Sequence, residues 1–476
     1  MARFPSLLIE RHGLTPQGSF AEAQAAYLRP DAAAVAELDR LLAATNTGVV
    51  AHFYMDPELQ GVLAACTWPH RHVADSLVMA DRAVAMAKAG VAAICVAGVD
   101  FMSENVRAVL DEAGFAHVAV YRLAMAKIGC SLAESAEAPA YAAYLRKAQS
   151  CERALHVIYI NTSLRVKALS NQMVPTITCT SSNVVKTILQ ASAQIPDLHI
   201  WFGPDTYMGD NLAHLLTKYA QIPLADVQLL HPQHTPQTVA QLAEHFHFFA
   251  QGNCVVHHLF GAAVVRTIRE EYPNALYAAH LEVPGEMFAL AAEAALTGRG
   301  VVGSTSDILR FIGARLEQAL RSEACDQTLQ FVLGTEAGMI TSIVAAVEAQ
   351  LATALRSDVR VEIVFPVAAE AIVPVADSSL GIVPGVAAGE GCSVAGGCAT
   401  CPYMRMNNLE GLFSILSKIQ RASADLPLYR PHLEHQLIDG RSVAELGAIP
   451  ILQMRSFQQN GELSSELVSD IVSRRA

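Results

Sequence analysis

Cys392, Cys398 and Cys401 fall within ten positions of one another in GEGCSVAGGCATCPYMRM, in a chain with only ten cysteines among 476 residues. Two chemistries are open to them. The close pair Cys398-Ala-Thr-Cys401 suits a redox switch or half of a zinc site. Cys401 could instead serve a centre whose other ligands lie far away in the sequence. Cys130 in KIGCSLAES and Cys254 in QGNCVVHHLF are the candidates, each in a loop-like segment near the end of a unit of similar layout.

That layout recurs three times. An apolar, strand-like run ends at a polar residue: His52 in GVVAHFYMDPELQ, Asn161 in VIYINTS and His280 in LYAAHLEVPGE. A serine then opens an amphipathic stretch: Ser76 in DSLVMADRAV, Ser181 in TSSNVVKTIL and Ser304 in GSTSDILRFI. A further apolar run closes in Gly-x-Asp or Gly-x-Glu, at Gly98, Gly203 and Gly334, with a methionine just after and a cysteine further on. Strand and helix in alternation predict small parallel sheets with helices on both faces, because parallel neighbours need a crossover. Ligands bind such sheets at the carboxyl ends of the strands, where helix amino termini also gather. His52, Asn161, His280 and the three serine segments are expected there. The expected division is a helical lead-in over 1–45, units over 46–150, 151–270 and 271–420, and a C-terminal extension over 421–476 without a catalytic motif. Within the third unit, 352–391 reads as an insertion containing the strand VRVEIVFPV.

One cysteine from each unit suggests three thiolates converging on a pseudo-threefold axis. A structural zinc site wants four ligands, and an electron-transfer 4Fe-4S cluster usually takes four cysteines. Three match a 4Fe-4S cubane with one iron unliganded by protein, a Lewis acid able to polarise a carboxylate, carbonyl or hydroxyl. From the residues alone, the class is dehydration of a small hydroxy or keto acid. A non-enzymatic redox or metal sensor built on the Cys398/Cys401 loop is the competing reading.

The formal charge of −12 and the lack of a basic block argue against a nucleic-acid partner. Apolar residues make up 52% and charged residues 16%, yet no apolar run reaches the ~18 residues that span a bilayer. MARFPSLLIERHGLTPQ has no apolar h-region and carries Glu10, so neither a signal nor a transit peptide is expected, and the expected compartment is a reducing cytoplasm.

HFYMDPELQ, ADSLVMA, GVDFM, VIYINTSLRVKA, PTITCTSSNVVKT, GPDTYMG, HLEVPGE, VVGSTSDIL, LGTEAGM and GGCATCPYMRMN together resemble the quinolinate synthase family, with phrases such as VPGVAAGEGC closest to its longer, plastid-type members. The resemblance runs from about Gly48 to about Leu416. It implies three similar α/β/α sandwich domains with small parallel sheets, arranged by pseudo-threefold symmetry around a central active site. It also implies one 4Fe-4S cluster on Cys130, Cys254 and Cys401. The implied reaction belongs to de novo NAD biosynthesis: condensation of iminoaspartate with dihydroxyacetone phosphate to quinolinate, with loss of phosphate and two waters. The alternative is another three-cysteine 4Fe-4S hydro-lyase acting on a small hydroxy acid. Carried over by motif, His52, Tyr159 and Glu282 are the expected proton-transfer residues, in chemistry that needs groups titrating or polarisable near neutrality. Ser76, Asn161, Ser181, His280, Ser304 and Thr305 are the expected substrate-binding residues. Expected partners are L-aspartate oxidase and separate iron-sulfur assembly proteins, and a homodimer is compatible with the sequence.

Bland readings stand beside these. A serine before a helix is by default an N-cap, and capping shares its geometry with anion binding. Tyr159 could simply pack in a core. His70, His72, His257 and His258 lack support from the repeat and are expected in loops. Cys66, Cys95, Cys151, Cys179 and Cys325 read as small buried hydrophobes, while Cys392 and Cys398 read as spare thiols or as a redox pair with Cys401.

Overall fold

The computed structural model describes residues 4–366, 401–432 and 436–474. Cys392, Cys398 and most of the expected 352–391 insertion lie outside these residues. The strands are β1 (Ser6–Glu10), β2 (Gly13–Gln17), β3 (Thr47–His52), β4 (Arg71–Ala74), β5 (Ala93–Ala97), β6 (Ala119–Arg122) and β7 (Ala154–Tyr159). They continue with β8 (Thr176–Cys179), β9 (His199–Gly203), β10 (Phe246–Phe248), β11 (Leu276–His280), β12 (Gly300–Gly303), β13 (Gln327–Gly334) and β14 (Val359–Val364). A short hairpin, Leu437–Ile438 with Arg441–Ser442, lies near the C-terminus.

Sheet order repeats the sequence triplication. The first sheet runs β4-β3-β5-β6, the second β8-β7-β9-β10 and the third begins β12-β11-β13-β14. Each unit thus places its first strand centrally, its second on one side, and its third and fourth on the other, with every pair parallel. The strand order reverses between first and third strands, and their carboxyl ends form the crevice where α/β proteins seat ligands. Central strands such as TGVVAH and ALHVIY are buried along their whole length. Sheets covered by helices on both faces require such unbroken apolar runs, which accounts for the high apolar fraction without any membrane span. No helix among the described residues is long and apolar enough to cross a membrane.

The third sheet departs from the other two. β1 pairs antiparallel with β14, Ser6 opposite Val364, and β2 pairs antiparallel with β1. The stretch expected as a helical lead-in therefore begins as a hairpin. SLLIE is too short for a stable helix and finds its backbone partners on a strand that lies far away in sequence, so local pattern carried no sign of it. The helix expected over PDAAAVAELDRLLAAT does form, at Ala32–Thr45, capped by Asp31 and ended by Asn46 in the left-handed region. Its Leu38, Leu41 and Leu42 share a core with Leu412, Ile415 and Leu416 of the helix Leu409–Gln420, over Val49, Ala51, Cys95 and Ala97 of the first sheet. Residues 409–420, grouped by sequence with the third unit, thus cover the first sheet.

The helix Val443–Asn460 packs against the helix Leu164–Met173 and against β8. Contact is so close at Gly447 that a Cβ there would lie 2.3 Å from the Leu164 carbonyl oxygen. Among the other cysteines, Cys66, Cys95 and Cys179 are buried and Cys151 is half-buried. Cys325, expected to be buried, is exposed, because it sits in the turn before β13 where Asp326 takes a positive φ.

Candidate active site

β3 ends at His52, β7 ends at Tyr159 with Asn161 just beyond, and β11 ends at His280 with Glu282 just beyond. These strand ends open on one cavity. His52, Tyr159, Glu282, Ser76, Asn161, Ser181, His280 and Thr305 line it, as do Cys130, Cys254 and Cys401. Ser304 alone among the expected site residues does not. It caps the helix Thr305–Arg321, accepting from the Asp307 N–H at 3.3 Å and donating to Asp307 Oδ2 at 2.7 Å, so its hydroxyl is already committed.

The other helix starts leave a hydroxyl free. Asp75 caps the helix Ser76–Lys88 by accepting from Leu77 and Val78, so Ser76 faces the cavity without capping duty. In the second unit, Asn183 Oδ1 accepts from the Thr180 N–H at 2.8 Å and orders the turn in which Ser181 meets the cavity.

Asn161 sits in a turn braced from behind. The fully buried Lys167 donates Nζ to the carbonyls of Ile160, at 3.0 Å, and Thr162, on either side of Asn161. Glu104 accepts the Leu164 N–H at 3.0 Å. Burial pushes Glu104 up to about 7 and Lys167 down to about 7, and their mutual attraction partly opposes both shifts.

His52 and His280 are neutral imidazoles. Burial lowers His52 to about 3 and His280 to about 4, against the attraction of Glu282. The Tyr54 N–H donates to His52 Nδ1 at 3.2 Å and the Glu282 N–H to His280 Nδ1 at 3.4 Å, which leaves Nε2 as the protonated nitrogen of each. Glu282 accepts from the Tyr159 hydroxyl and lies 3.1 Å from His257 Nδ1. Burial alone would raise its carboxyl, but His280, His257 and Tyr159 hold it well below the usual carboxylate range. Burial and the Glu282 charge raise the Tyr159 phenol well above its ordinary value. Of the three expected proton-transfer residues, none titrates near neutrality here. Glu336, raised by burial to about 8, does so more nearly.

Two of the cysteine loops are tied to each other, and the third is tied to residues that follow strand ends of the first and third sheets. The Ser131 hydroxyl, next to Cys130, donates to the Asn253 carbonyl, next to Cys254, at 3.0 Å. The Cys401 N–H donates to Glu336 Oε1 at 2.9 Å. Asn407, beyond Cys401, accepts the Gly98 N–H at 3.0 Å. Burial pushes the Cys130 thiol to about 12 and raises Cys401 well above its ordinary value, and each is raised further by a neighbouring cysteine. Three half-buried thiols around one cavity fit a bound cationic group that would hold them deprotonated. A second set able to hold a metal ion is Cys254, His257 and Glu282, whose ligand atoms all lie within 4.8 Å of one another.

His257 was expected in a loop. It lies instead in the short 3-10 turn His257–Leu259, is 1% exposed, and its ring stacks on His280 with centroids 5.0 Å apart. Its spacing from Cys254, which sets it on the same turn facing the same cavity, was the available signal. His72 likewise lies in β4. Asp205 and Glu336 belong to the Gly-x-Asp/Glu landmarks that the repeat exposed without a role. Both are buried, and Glu336 lines the cavity. Tyr54 also lines it, its ring edge-on to His52 at 4.7 Å.

The family profile described as "Quinolinate synthetase A protein" matches residues 36–428. The chain is 53% identical over 484 residues to "Quinolinate synthase, chloroplastic" of Nicotiana tabacum, covering 99% of this chain and 67% of that protein. The protein of the same name from Arabidopsis thaliana is 50% identical, with 99% and 67% covered. "Quinolinate synthase" of Thermosynechococcus vestitus is 27% identical over 83% of this chain and 89% of its own length. The chloroplastic names, shared by four relatives at 49–53% identity, overturn the expected cytoplasmic placement. Compartment is addressed by leader segments rather than by the folded residues that carry chemistry, so the motifs held no signal for it.

Proposed function

The chain belongs to the quinolinate synthetase A family, and from that premise we propose that it condenses iminoaspartate with dihydroxyacetone phosphate to quinolinate, releasing phosphate and two waters, in NAD biosynthesis. One observation carries the reading: three cysteines distant in sequence line the same cavity as His52, Tyr159 and Glu282. Cys130, Cys254 and Cys401 would hold a 4Fe-4S cluster. Bound there, the cluster supplies Lewis-acid polarisation of a substrate carboxylate, carbonyl or hydroxyl.

The chain's own groups do the remaining work. Ser76, Ser181 and Thr305, at or just before helix starts, seat phosphate and carboxylate oxygens with the help of free backbone N–H groups. His52 and His280, neutral and protonated on Nε2, donate hydrogen bonds without adding charge. Asn161 fixes substrate orientation from the second unit. Glu282 and the Tyr159 hydroxyl, hydrogen-bonded to each other, orient the protons of the imine and of the departing oxygens. Glu336, raised by burial to about 8, is the cavity group better matched to taking and returning a proton near neutrality. Buried walls exclude water, so these dipoles act at full strength. The relatives' names support action in a plastid, with iminoaspartate supplied by an aspartate-oxidising enzyme.

The test is anaerobic purification of the full chain with iron and sulfide counted per chain. Near-complete loss is expected in C130S, C254S and C401S, and none in C66S. Retention in C130S together with loss in C398S rejects the ligand set. The cluster-loaded chain is then given dihydroxyacetone phosphate and freshly generated iminoaspartate. A full cluster without any pyridine dicarboxylate rejects the substrates and favours a simple hydro-lyase.

A further inference from the structure

We infer that the cluster-free chain binds one zinc-type divalent cation at Cys254, His257 and Glu282, a ligand set that excludes the cluster because the two share Cys254. The exclusivity rests on the cluster reading above, whereas the cation site itself rests on geometry alone.

The ligand atoms of the three residues already lie within 4.8 Å of one another, and His257 Nδ1 is 3.1 Å from Glu282 Oε2. A tetrahedral zinc ion bound by sulfur, nitrogen and oxygen at its usual bond lengths holds such donors roughly 3.3 to 3.6 Å apart. His257 stands with its Nδ1 already opposite the Glu282 carboxylate at 3.1 Å, so an ion would enter between groups that face each other. His257 is 1% exposed, yet neither ring nitrogen makes a hydrogen bond of acceptable angle among the described residues.

The ring is also held in place before any ion arrives. It stacks on His280 at 5.0 Å with planes 5° apart, and Tyr54 meets its edge at 6.5 Å. On the carboxylate side, Tyr159 engages Oε1 of Glu282, which leaves Oε2 toward His257. A thiolate, an imidazole and a carboxylate form a mixed donor set that suits zinc and its cobalt surrogate, whereas magnesium and calcium want oxygen. Three protein ligands leave the fourth position open to the cavity. Such an ion would take Cys254 from the cluster set and Glu282 from orienting protons, so zinc would oppose cluster assembly and activity together.

The full-length, cluster-free chain is titrated anaerobically with Co²⁺. One equivalent is expected, with the visible bands of four-coordinate cobalt and a thiolate-to-cobalt charge-transfer absorption, both displaced by Zn²⁺. Affinity should fall by more than about a hundredfold in H257Q and E282Q, beyond the roughly 10–100-fold that loss of a residue merely supporting a ligand causes. C254S should lose the thiolate absorption, C130S and C401S should keep it, and the cluster-loaded chain should take no cobalt. Circular dichroism of each variant checks the fold, and E282Q serves should H257Q fail that check. Loss of the thiolate absorption in C130S or C401S with H257Q unaffected would put the ion among the three cysteines and overturn the inference, as would the absence of stoichiometric binding. Either failure leaves the iron counts of the cysteine variants standing, so the two readings fall separately.

Discussion

The first and third helix starts perform the same two tasks with different residues. At the first, Asp75 turns its carboxylate back on the Leu77 and Val78 N–H groups, and Ser76 faces the cavity. At the third, Ser304 is the cap, closed into a box with Asp307, and Thr305 faces the cavity. The second departs from the pattern: the helix Val184–Gln194 has no side-chain cap, the Thr180 hydroxyl pairs with Ser182, and both Thr180 and Ser181 line the cavity. At the first and third starts capping and cavity lining are divided between neighbours, because one hydroxyl cannot bond its own helix's N–H and a ligand with full strength at once. Aligning the repeats on serine pairs Ser76 with Ser304, whereas the three-dimensional equivalence pairs Ser76 with Thr305.

Four changes test that division, in descending order of effect. The largest effect is expected in the second unit, whose turn depends on the hydrogen bonds of the buried Lys167. Lys167→Met removes the donor to the Ile160 and Thr162 carbonyls and should cost about 1–3 kcal/mol of unfolding free energy for each carbonyl left without a partner, read from the denaturant midpoint. A loss under about 1 kcal/mol would mean that packing by the helix Val443–Asn460 holds the Asn161 turn without Lys167.

Thr305→Val keeps the shape of the side chain and removes its hydroxyl. A hydrogen bond to a charged group contributes about 1.5–3 kcal/mol, so kcat/KM should fall about tenfold to a hundredfold with the melting temperature unchanged. Unchanged kinetics would remove Thr305 from the substrate site. Ser304→Ala should show the mirror image: about 1 kcal/mol of stability lost, and kinetics within about twofold. A kinetic defect larger than the stability defect would restore Ser304 to the ligand. Asp75→Ser installs the third unit's cap residue in the first unit. Aspartate and serine rank alike as caps, so neither stability nor KM should change measurably.

Much of this was legible in the sequence because it is local and repeated. His52, Asn161 and His280 close apolar runs that had to be buried strands, although the second strand itself ends at Tyr159, and Gly98, Gly203 and Gly334 mark the third strand of each unit. Other features depend on partners that no local pattern names. SLLIE is a strand only because Val359–Val364 lies beside it, and Leu409–Gln420 belongs to the first sheet only because the helix Ala32–Thr45 presents a matching apolar face. His257 looked ordinary because its importance is its distance to Glu282, a residue of another loop. The charge states went the same way: a histidine at a strand end is expected to titrate near neutrality, but complete burial carries His52 and His280 below it.

The sequence by itself determined the threefold repetition, the strand and helix starts, and the residue types placed at the carboxyl ends of the strands, since hydrophobic period and turn chemistry act over a few residues. Only the tertiary structure decided which of two adjacent hydroxyls meets the cavity, that three remote thiols share one wall, and that His257 stands beside Glu282. Those are facts of distance between segments far apart in the chain, and of the low dielectric that closes around them once they meet.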